Sequence, residues 1–225
     1  MPAPVHRLKK AEIVRLANSK CQHDHTYLDH YNCYLEEQPE AQEKIGFLDI
    51  ESSNLVADFG IMLSYCIKER GNDTILSSVI KRHDIQKAKA GDEDRKVVAQ
   101  CIKDLQKFDR IVTYYGKRFD IPFIRTRASS CGLDFPSYGS LIHDDLYFVV
   151  RHRFRMSSNR LENACRVLLG DTNKTRIEGK YWRAAARGDE ESLSYILDHN
   201  EKDVVDLERL YDHVLDFVRR QDTSI

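Results

Sequence analysis

Four acidic residues lie where the surrounding apolar pattern predicts burial. Asp49 and Glu51 stand at the end of one apolar segment, and Asp120 follows another. Asp203 lies on the apolar side of a helical pattern. Buried carboxylates are costly when unpaired, and clustered carboxylates repel one another unless a cation neutralises them. Because oxygen ligands of this kind suit Mg²⁺ or Mn²⁺, these residues predict a divalent-metal site that can also bind phosphate.

The spacing of these residues agrees with a shared site. Asp49 and Glu51 are two residues apart in a strand pattern, so both point to one face with Cα atoms about 7 Å apart. His199 precedes Asp203 by four residues, which is one helical turn. A histidine beside a metal cluster is a natural general base for a hydrolytic water. Taken singly, each motif has an ordinary explanation: Asp49 and Glu51 could occur together by chance, Asp120 could cap a helix, and His199 and Asp203 could form a surface pair. Their order along the chain favours a shared metal site.

The elements that must position these residues follow from hydrophobic periodicity and turn residues. Three strands, a helix and a further strand are followed mainly by helices, which predicts a mixed α/β sheet covered by helices. The predicted segments are strands at 45–50, 59–68 and 74–81, a helix with an acidic first turn at 92–108, a strand at 110–116, a helix from about 121, an ambiguous segment at 140–150, and helices at 159–170 and 191–220.

Length and charge exclude several classes of protein. The chain has 225 residues, with 35 Lys and Arg against 36 Asp and Glu, a formal net charge of -1. Binding of polyanions by bulk charge is therefore excluded, and a nucleic-acid role needs a local patch or metal ions. An apolar run of roughly 18 residues and a secretory h-region are both missing, so no membrane partner is expected. The 6 scattered cysteines predict reduced thiols and a cytoplasmic location.

The first 43 residues form a predicted extension with a helix at 5–19 and a segment rich in Cys and His. Soft and borderline ligands at this density could hold Zn²⁺, but the spacing matches no established zinc-finger pattern. A polar, aromatic lid is the alternative interpretation. The candidate zinc ligands are Cys21, His23, His25, His30 and Cys33.

A basic stretch between residues 151 and 187 offers a local patch for nucleic acid. It carries ten Lys and Arg residues against three acids, with Phe154, Tyr181 and Trp182 interleaved. Phosphate contacts and base stacking are the expected use of such a surface. The alternative is an ordinary solvated face.

Three segments together resemble the DEDD superfamily of 3′→5′ exonucleases, which have the ribonuclease H-like fold. These are FLDIESSNL at 47–55, VTYYGKRFDIPFI at 112–124 and HNEKDVVDLERL at 199–210, and the last is most similar to the YprB-type ribonuclease H-like domain. HDDL at 143–146 and LLG at 168–170 also match. The resemblance implies a five-stranded mixed sheet flanked by helices over residues 44–220, with the preceding residues as a small N-terminal extension.

The resemblance also implies a two-metal hydrolysis of phosphodiester bonds. One Mg²⁺ or Mn²⁺ ion would be held by Asp49, Glu51 and Asp203. The second would be held by Asp49 and Asp120, and His199 would accept the proton of the attacking water. His199 has the four-residue spacing that the family's tyrosine class uses, rather than the five-residue spacing of its histidine class.

Three further residues are candidates for substrate contact. Asn54 and Leu55 closely follow the first acidic motif and could hold a terminal nucleotide, Leu55 as an apolar wedge or, alternatively, as part of the core. Tyr115 stands where the family often has Asn, which predicts a different contact at that strand end. His143, Asp144 and Asp145 match a family segment, and helix capping is favoured for them over a fifth metal ligand.

The leading functional prediction is a metal-dependent 3′→5′ exonuclease, with single-stranded DNA favoured over RNA. Three alternatives stay open. A structure-selective endonuclease could use the same fold, and a non-catalytic nucleic-acid-binding module could have kept it. A zinc-stabilised partner-binding protein would depend on the N-terminal segment alone.

Overall fold

The computed structural model describes residues 10–37, 43–137, 139–173 and 177–218. The chain divides into two compact units, Met1–Lys44 and Ile45–Ile225. The functional division into an extension and a nuclease domain stays a prediction. In the described residues, no helix is both long and apolar enough to span a membrane.

The described residues of the first unit form two short helices and a tight turn. Helix α1 spans Lys10–Asn18 and α2 spans Tyr31–Glu37. The predicted helix at 5–19 is thus observed from residue 10, and residues 5–9 lie outside the described part. Between the helices, Lys20 and Thr26 form an isolated antiparallel bridge.

The second unit is built on a five-stranded mixed sheet in the order β3-β2-β1-β4-β5. Strands β1, β2 and β3 pair antiparallel, whereas β4 and β5 continue from β1 in parallel. The predicted sheet is therefore confirmed, and the ambiguous segment at 140–150 divides into a strand and a helix. The strands are β1 (Ile45–Ser52), β2 (Met62–Glu69), β3 (Ile75–Val79), β4 (Arg110–Thr113) and β5 (Ile142–Asp145).

Helices cover both faces of the sheet, as predicted. Alternation along β1 sends Leu48 and Ile50 into one hydrophobic cluster and Ile45 and Phe47 into another. The helices of this unit are α3 (Arg82–Lys87), α4 (Arg95–Leu105), α5 (Asp120–Ser130), α6 (Leu146–Arg153), α7 (Leu161–Leu168), α8 (Gly179–Ala185) and α9 (Glu190–Val214), followed by a 3₁₀ turn at Leu215–Phe217.

The start of α4 differs from the prediction. The acidic residues at 92–94 precede the helix instead of filling its first turn. Asp94 is fully buried, where its Oδ1 accepts a hydrogen bond from Arg127 Nη2 at 2.6 Å and its Oδ2 accepts one from the Met62 N–H at 2.8 Å. Asp94 therefore pairs with a buried guanidinium, a long-range role that local charge patterning does not reveal.

Candidate metal centre

The end of β1 and the middle of α9 face each other across one side of the sheet. Residues 45, 47, 49 and 51 share a face of β1 because side chains alternate. Phe47 packs edge-to-face on Tyr211 of α9, with ring centroids 5.4 Å apart. Toward the end of β1, apolar side chains give way to Asp49 and Glu51. Along α9, toward its N-terminus, the buried Val204 is likewise followed by an acidic and an imidazole side chain, those of Asp203 and His199.

Three side chains meet where these elements face each other. The Nε2 atom of His199 lies 3.8 Å from Glu51 Oε1 and 3.7 Å from Asp203 Oδ2. One donor atom from each of the three residues lies within 4.8 Å of the others. His199 and Asp203 are 5% and 3% exposed, so this group is largely shielded from bulk water. The structure thus brings three of the five residues predicted to be catalytic into direct proximity.

Asp49 is held beside this group by an asparagine that sequence reasoning missed. Asn200 is fully buried, and its Nδ2 donates a hydrogen bond to Asp49 Oδ2 at 2.5 Å. Its Oδ1 accepts a hydrogen bond from Ser64 Oγ at 3.4 Å. Asn200 therefore fixes the orientation of the Asp49 carboxylate. The His199-Asn200 pair was visible in the sequence, but only as a marker of the YprB-type resemblance.

Asp120 approaches β1 from the first turn of α5. Its Oδ1 accepts a hydrogen bond from the backbone N–H of Ile50, the residue between Asp49 and Glu51, at 3.1 Å. Burial, with smaller contributions from the charges of Asp145 and Asp203, raises the pKa of Asp120 to about 7, whereas the Ile50 N–H opposes the shift. All four predicted acids therefore lie around the end of β1; they are called the carboxylate cluster below.

The thiol of Cys66 lies in the electric field of the same acids. Cys66 is the partner of Asp49 in the register of β1 and β2. Burial raises the pKa of this thiol, and the charges of Glu201, Asp49, Glu51 and Asp203 raise it further. Several negative charges therefore share a small, partly buried volume.

A divalent cation fits this donor set. Hard carboxylate oxygens from β1, α5 and α9 are the ligands that Mg²⁺ and Mn²⁺ prefer. A cation would offset the mutual repulsion, which contributes to the raised pKa of Asp120. The residues that could hold such ions are Asp49, Glu51, Asp120 and Asp203.

The loop that leads from β4 to Asp120 is shaped by close backbone contacts. Tyr115 has a left-handed backbone, with φ 70°. At Gly116, an added Cβ would lie 2.3 Å from Thr113 Oγ1, so a side chain would collide with the end of β4. These two residues turn the chain sharply toward α5, so β4 ends at Thr113, earlier than the predicted strand at 110–116.

Asp145 holds this loop in place with both of its carboxylate oxygens. Its Oδ1 accepts hydrogen bonds from the N–H groups of Tyr115 and Tyr147 at 2.8 and 3.1 Å. Its Oδ2 accepts one from the Lys117 N–H at 2.9 Å. Burial raises the pKa of Asp145, while these backbone donors lower it. The structure thus agrees with the predicted capping role, because Asp145 is the N-cap of α6.

His143 and Asp144 were also predicted to cap a helix, but both lie within β5 and make contacts inside the fold instead. Asp144 accepts a hydrogen bond from Arg110 Nη1 at 2.7 Å, in an ion pair that is almost fully buried. His143 Nε2 lies 2.8 Å from Thr113 Oγ1. Burial lowers the pKa of His143 to about 3, so this imidazole is neutral at physiological pH.

A cleft of about 480 Å³ opens beside the carboxylate cluster. Tyr115 is 44% exposed, and its ring lies 4.7 Å from that of Tyr147 in an edge-to-face arrangement. Aromatic rings and a guanidinium are surfaces on which nucleotide bases can stack. The cleft is lined by Asp49, Tyr114, Tyr115, Tyr147, Asn159, Arg160, Leu161 and Asp203.

The loop that follows β1 carries the other two predicted substrate residues. Leu55 is 82% exposed, so the core-packing interpretation of this residue is wrong. The side chain of Asn54 turns back on its own loop, where Oδ1 accepts a hydrogen bond from the Val56 N–H at 3.2 Å. Phe59, which sequence reasoning missed, is 81% exposed on the same loop. The sequence pattern had placed Phe59 at the start of the predicted strand at 59–68, whereas β2 begins at Met62.

The basic stretch at 151–187 is exposed, but its aromatic rings are engaged within the protein. Phe154 lies 5.2 Å from Phe217 and Tyr181 lies 4.7 Å from Tyr195, by ring centroids. Trp182 packs against the larger core cluster. These three rings therefore differ from the predicted stacking surface. Lys174 and Arg176 lie outside the described residues, and the other eight basic side chains are exposed.

Comparison with known proteins identifies the family. Residues 46–215 match the family RNase_H_2 of the RNase_H superfamily. This match spans most of the chain, so the protein belongs to the RNase_H superfamily. No curated protein matches the chain.

A solved structure shares the fold. The family B DNA polymerase from the hyperthermophilic archaeon Pyrobaculum calidifontis aligns with a TM-score of 0.61 and 17% sequence identity. The alignment covers 77% of this chain and 25% of the polymerase. The present chain therefore spans about a quarter of that relative's length.

Proposed function

We propose that this protein is a divalent-metal-dependent 3′→5′ exonuclease of the DEDD type that acts on single-stranded DNA. The observation that carries the proposal is the meeting of Glu51, His199 and Asp203, with donor atoms within 4.8 Å of one another. Asp49 and Asp120 lie beside this group, and the chain belongs to the RNase_H superfamily.

In the proposed reaction, the protein's own groups bind ions, orient substrate and move a proton. Asp49, Glu51 and Asp203 would hold one ion, and Asp49 with Asp120 would hold the second. Bound Mg²⁺ or Mn²⁺ supplies a nucleophile at neutral pH and stabilises negative charge on the reacting phosphate. Nε2 of His199 accepts the proton of the attacking water. Asn200 keeps the Asp49 carboxylate in one orientation during these steps.

Exposed apolar side chains support action at a strand end. Leu55 and Phe59 are 82% and 81% exposed on the loop directly after β1. Unpaired terminal bases have free faces that such side chains can contact, and Tyr115 offers a ring in the cleft. Bases within a duplex do not present those faces. This chemistry favours an unpaired strand end as the substrate.

The test is cleavage of end-labelled single-stranded oligonucleotides in Mg²⁺ or Mn²⁺, with DNA and RNA of the same sequence. We expect 5′-labelled DNA to shorten stepwise from its 3′ end. Asp49→Ala and Asp203→Ala should each lower the rate by about 10³-fold or more, because each removes charge that holds the ions. Both variants should keep or raise the melting temperature of the protein without added Mg²⁺ or Mn²⁺, since repulsion in the cluster falls.

Asp198→Ala is the matched control, because Asp198 lies on α9 but is exposed and paired with Lys202 at 2.6 Å. This variant should keep full activity. A single internal cut would replace the proposal with an endonuclease, and faster cleavage of RNA would overturn the DNA preference. Binding without cleavage would identify a non-catalytic module. A collapsed melting temperature in the Asp49 or Asp203 variant would show that these acids are structural.

A further inference from the structure

A second group of metal-ligating side chains lies in the first unit of the chain. Cys21, His23, His30 and Cys33 each offer one donor atom, and these four atoms all lie within 4.8 Å of one another. The four residues are called the Cys/His cluster below. Both cysteines are buried and free of disulfides. None of the four takes part in the proposed nuclease reaction.

The distances within the Cys/His cluster match those around a tetrahedral zinc ion. Zn–S bonds of about 2.3 Å and Zn–N bonds of about 2.0 Å place sulfur and nitrogen ligands roughly 3.5 Å apart. Cys21 Sγ lies 3.9 Å from His23 Nδ1 and 3.5 Å from His30 Nδ1. Cys33 Sγ lies 3.2 Å from His23 Nδ1 and 3.4 Å from His30 Nδ1. All four sulfur–nitrogen separations are therefore close to the tetrahedral value.

The backbone delivers these ligands in two pairs. Cys21 and His23 lie on the tight turn closed by the Lys20–Thr26 bridge and by a hydrogen bond from the Cys21 N–H to the His25 carbonyl at 2.9 Å. His30 and Cys33 flank the start of α2, where the Cys33 N–H donates to the His30 carbonyl at 3.1 Å. A turn and a helix start, which do not share a hydrogen-bond ladder, are thus brought together at the cluster.

His25 differs from the other predicted zinc ligands. It does not belong to the group of donor atoms within 4.8 Å of one another, and its ring lies 5.2 Å from that of His30 in an edge-to-face arrangement. The prediction that included His25 with the other four is therefore corrected. Two cysteines and two histidines complete a four-coordinate site, which is the closed arrangement of structural rather than catalytic zinc.

The first unit also has little apolar material with which to fold. Its hydrophobic cluster in the described residues consists of Leu16, Tyr34 and Leu35, with Tyr27 and Tyr31 packed against it. Units of about 40 residues seldom fold on so small a core, and structural metals are one common remedy. The size of the core therefore points independently to a bound metal.

We propose that Cys21, His23, His30 and Cys33 bind one structural Zn²⁺ ion through two thiolates and two Nδ1 atoms. The donor set selects the metal, because thiolate and imidazole ligands suit Zn²⁺ whereas Mg²⁺ and Mn²⁺ prefer oxygen. The site holds the turn and α2 together. It is independent of the carboxylate cluster and of the proposed nuclease function.

Metal analysis of the purified full-length chain tests the proposal. After dialysis against a weak chelator, we expect one zinc per chain in the wild type. The double variant C21S/C33S should lose it, whereas His25→Ala should retain it as the matched control. Asp203→Ala should also retain it, so the result does not depend on whether the protein is a nuclease. Zinc retained by C21S/C33S, or lost from His25→Ala, would overturn the assignment.

Cobalt substitution keeps the test decisive if the double variant fails to fold. The reduced wild-type chain, stripped of metal and reconstituted with Co²⁺, should show the intense visible bands of a tetrahedral centre and a thiolate-to-cobalt charge-transfer band. Zn²⁺ added in one equivalent should displace both. A weak octahedral spectrum without charge transfer, or no zinc in the wild type, would overturn the proposal.

Discussion

The Cys/His cluster and the carboxylate cluster are both suited to cations, but the protein around each is different. The carboxylate cluster lies at the end of a sheet whose two faces carry large hydrophobic clusters. The Cys/His cluster lies beside a core of three buried apolar side chains. In the second unit the fold positions the ligands, whereas in the first we infer that the metal positions the fold. The donor atoms also differ: the carboxylate cluster offers hard oxygen atoms, whereas the Cys/His cluster offers softer sulfur and nitrogen atoms.

This contrast teaches that the consequence of losing a cation depends on what else orders its ligands. Asp49 and Glu51 belong to a strand that is paired on both sides, so their backbone stays in place without a metal. Cys21 and His23 belong to a turn with one isolated bridge. The following experiments use this difference, beginning with the largest expected effect.

Removal of zinc should unfold the first unit and leave the second intact. Structural zinc contributes on the order of 10 kcal/mol to small domains, which exceeds what the core here can supply. We expect hydrogen exchange at residues 13–37 to lose its protection in a strong chelator. Protection in β1 and α9 should not change, with or without Mg²⁺. Equal loss of protection in both units would contradict the comparison.

His199→Ala should lower the rate of cleavage by roughly 10²–10⁴-fold, the usual contribution of a positioned general base. The reduction should fall on kcat. His213→Ala is the control, because His213 is an exposed residue near the end of the same helix. An unchanged rate in His199→Ala would show that another group accepts the proton.

Asn200→Ala should act through Asp49. Loss of a group that orients a metal ligand typically lowers metal affinity or activity by about 10–100-fold. We expect a higher Mn²⁺ concentration for half-maximal cleavage. Asn163→Ala is the matched control: it removes a half-buried amide that donates to the Ser158 carbonyl at 2.8 Å, which is not a proposed ligand. If both variants lose stability but neither shifts the Mn²⁺ dependence, Asn200 is only structural.

A further expected effect is a pH dependence of stability without added Mg²⁺ or Mn²⁺. Burial raises the pKa of Asp120 to about 7, so between about pH 4 and pH 7 the folded protein keeps a proton that the unfolded chain releases. The free energy of unfolding should therefore fall as pH rises through this range, by at most about 1.4 kcal/mol per pH unit. Urea unfolding of wild type and Asp120→Asn should converge at low pH, with the variant more stable near pH 7. Parallel curves would contradict this assignment.

Much of the carboxylate cluster could be predicted because two periodicities carry it. Alternation along β1 puts Asp49 and Glu51 on one face, and the 3.6-residue helical period puts His199 and Asp203 on the buried side of α9. The bond from Asn200 to Asp49 joins residues far apart in the chain, so no local pattern contains it. The family resemblance contributed the five-stranded mixed sheet, because periodicity alone does not determine how strands pair.

The elements that sequence reasoning missed are short or depend on tertiary partners. Helices α2 and α3 have seven and six residues, too few for a helical period to stand out. The burial of Asp94 depends on Arg127, and the exposure of Leu55 depends on where its loop leaves the sheet. In the sequence, His25 looks like the neighbouring histidine ligands in residue type and position. Only the geometry of the turn separates it from the Cys/His cluster.

Asp145 accepts hydrogen bonds from three backbone N–H groups, and this has a consequence for mutational scanning. Replacing Asp145 would release the loop that leads to Asp120, so an activity-based screen would score this position alongside the four acids. A scan that records only lost turnover would thus assign the centre five carboxylates. Pairing each score with the cation dose that restores function would separate the residue that anchors the loop from those that hold the ions.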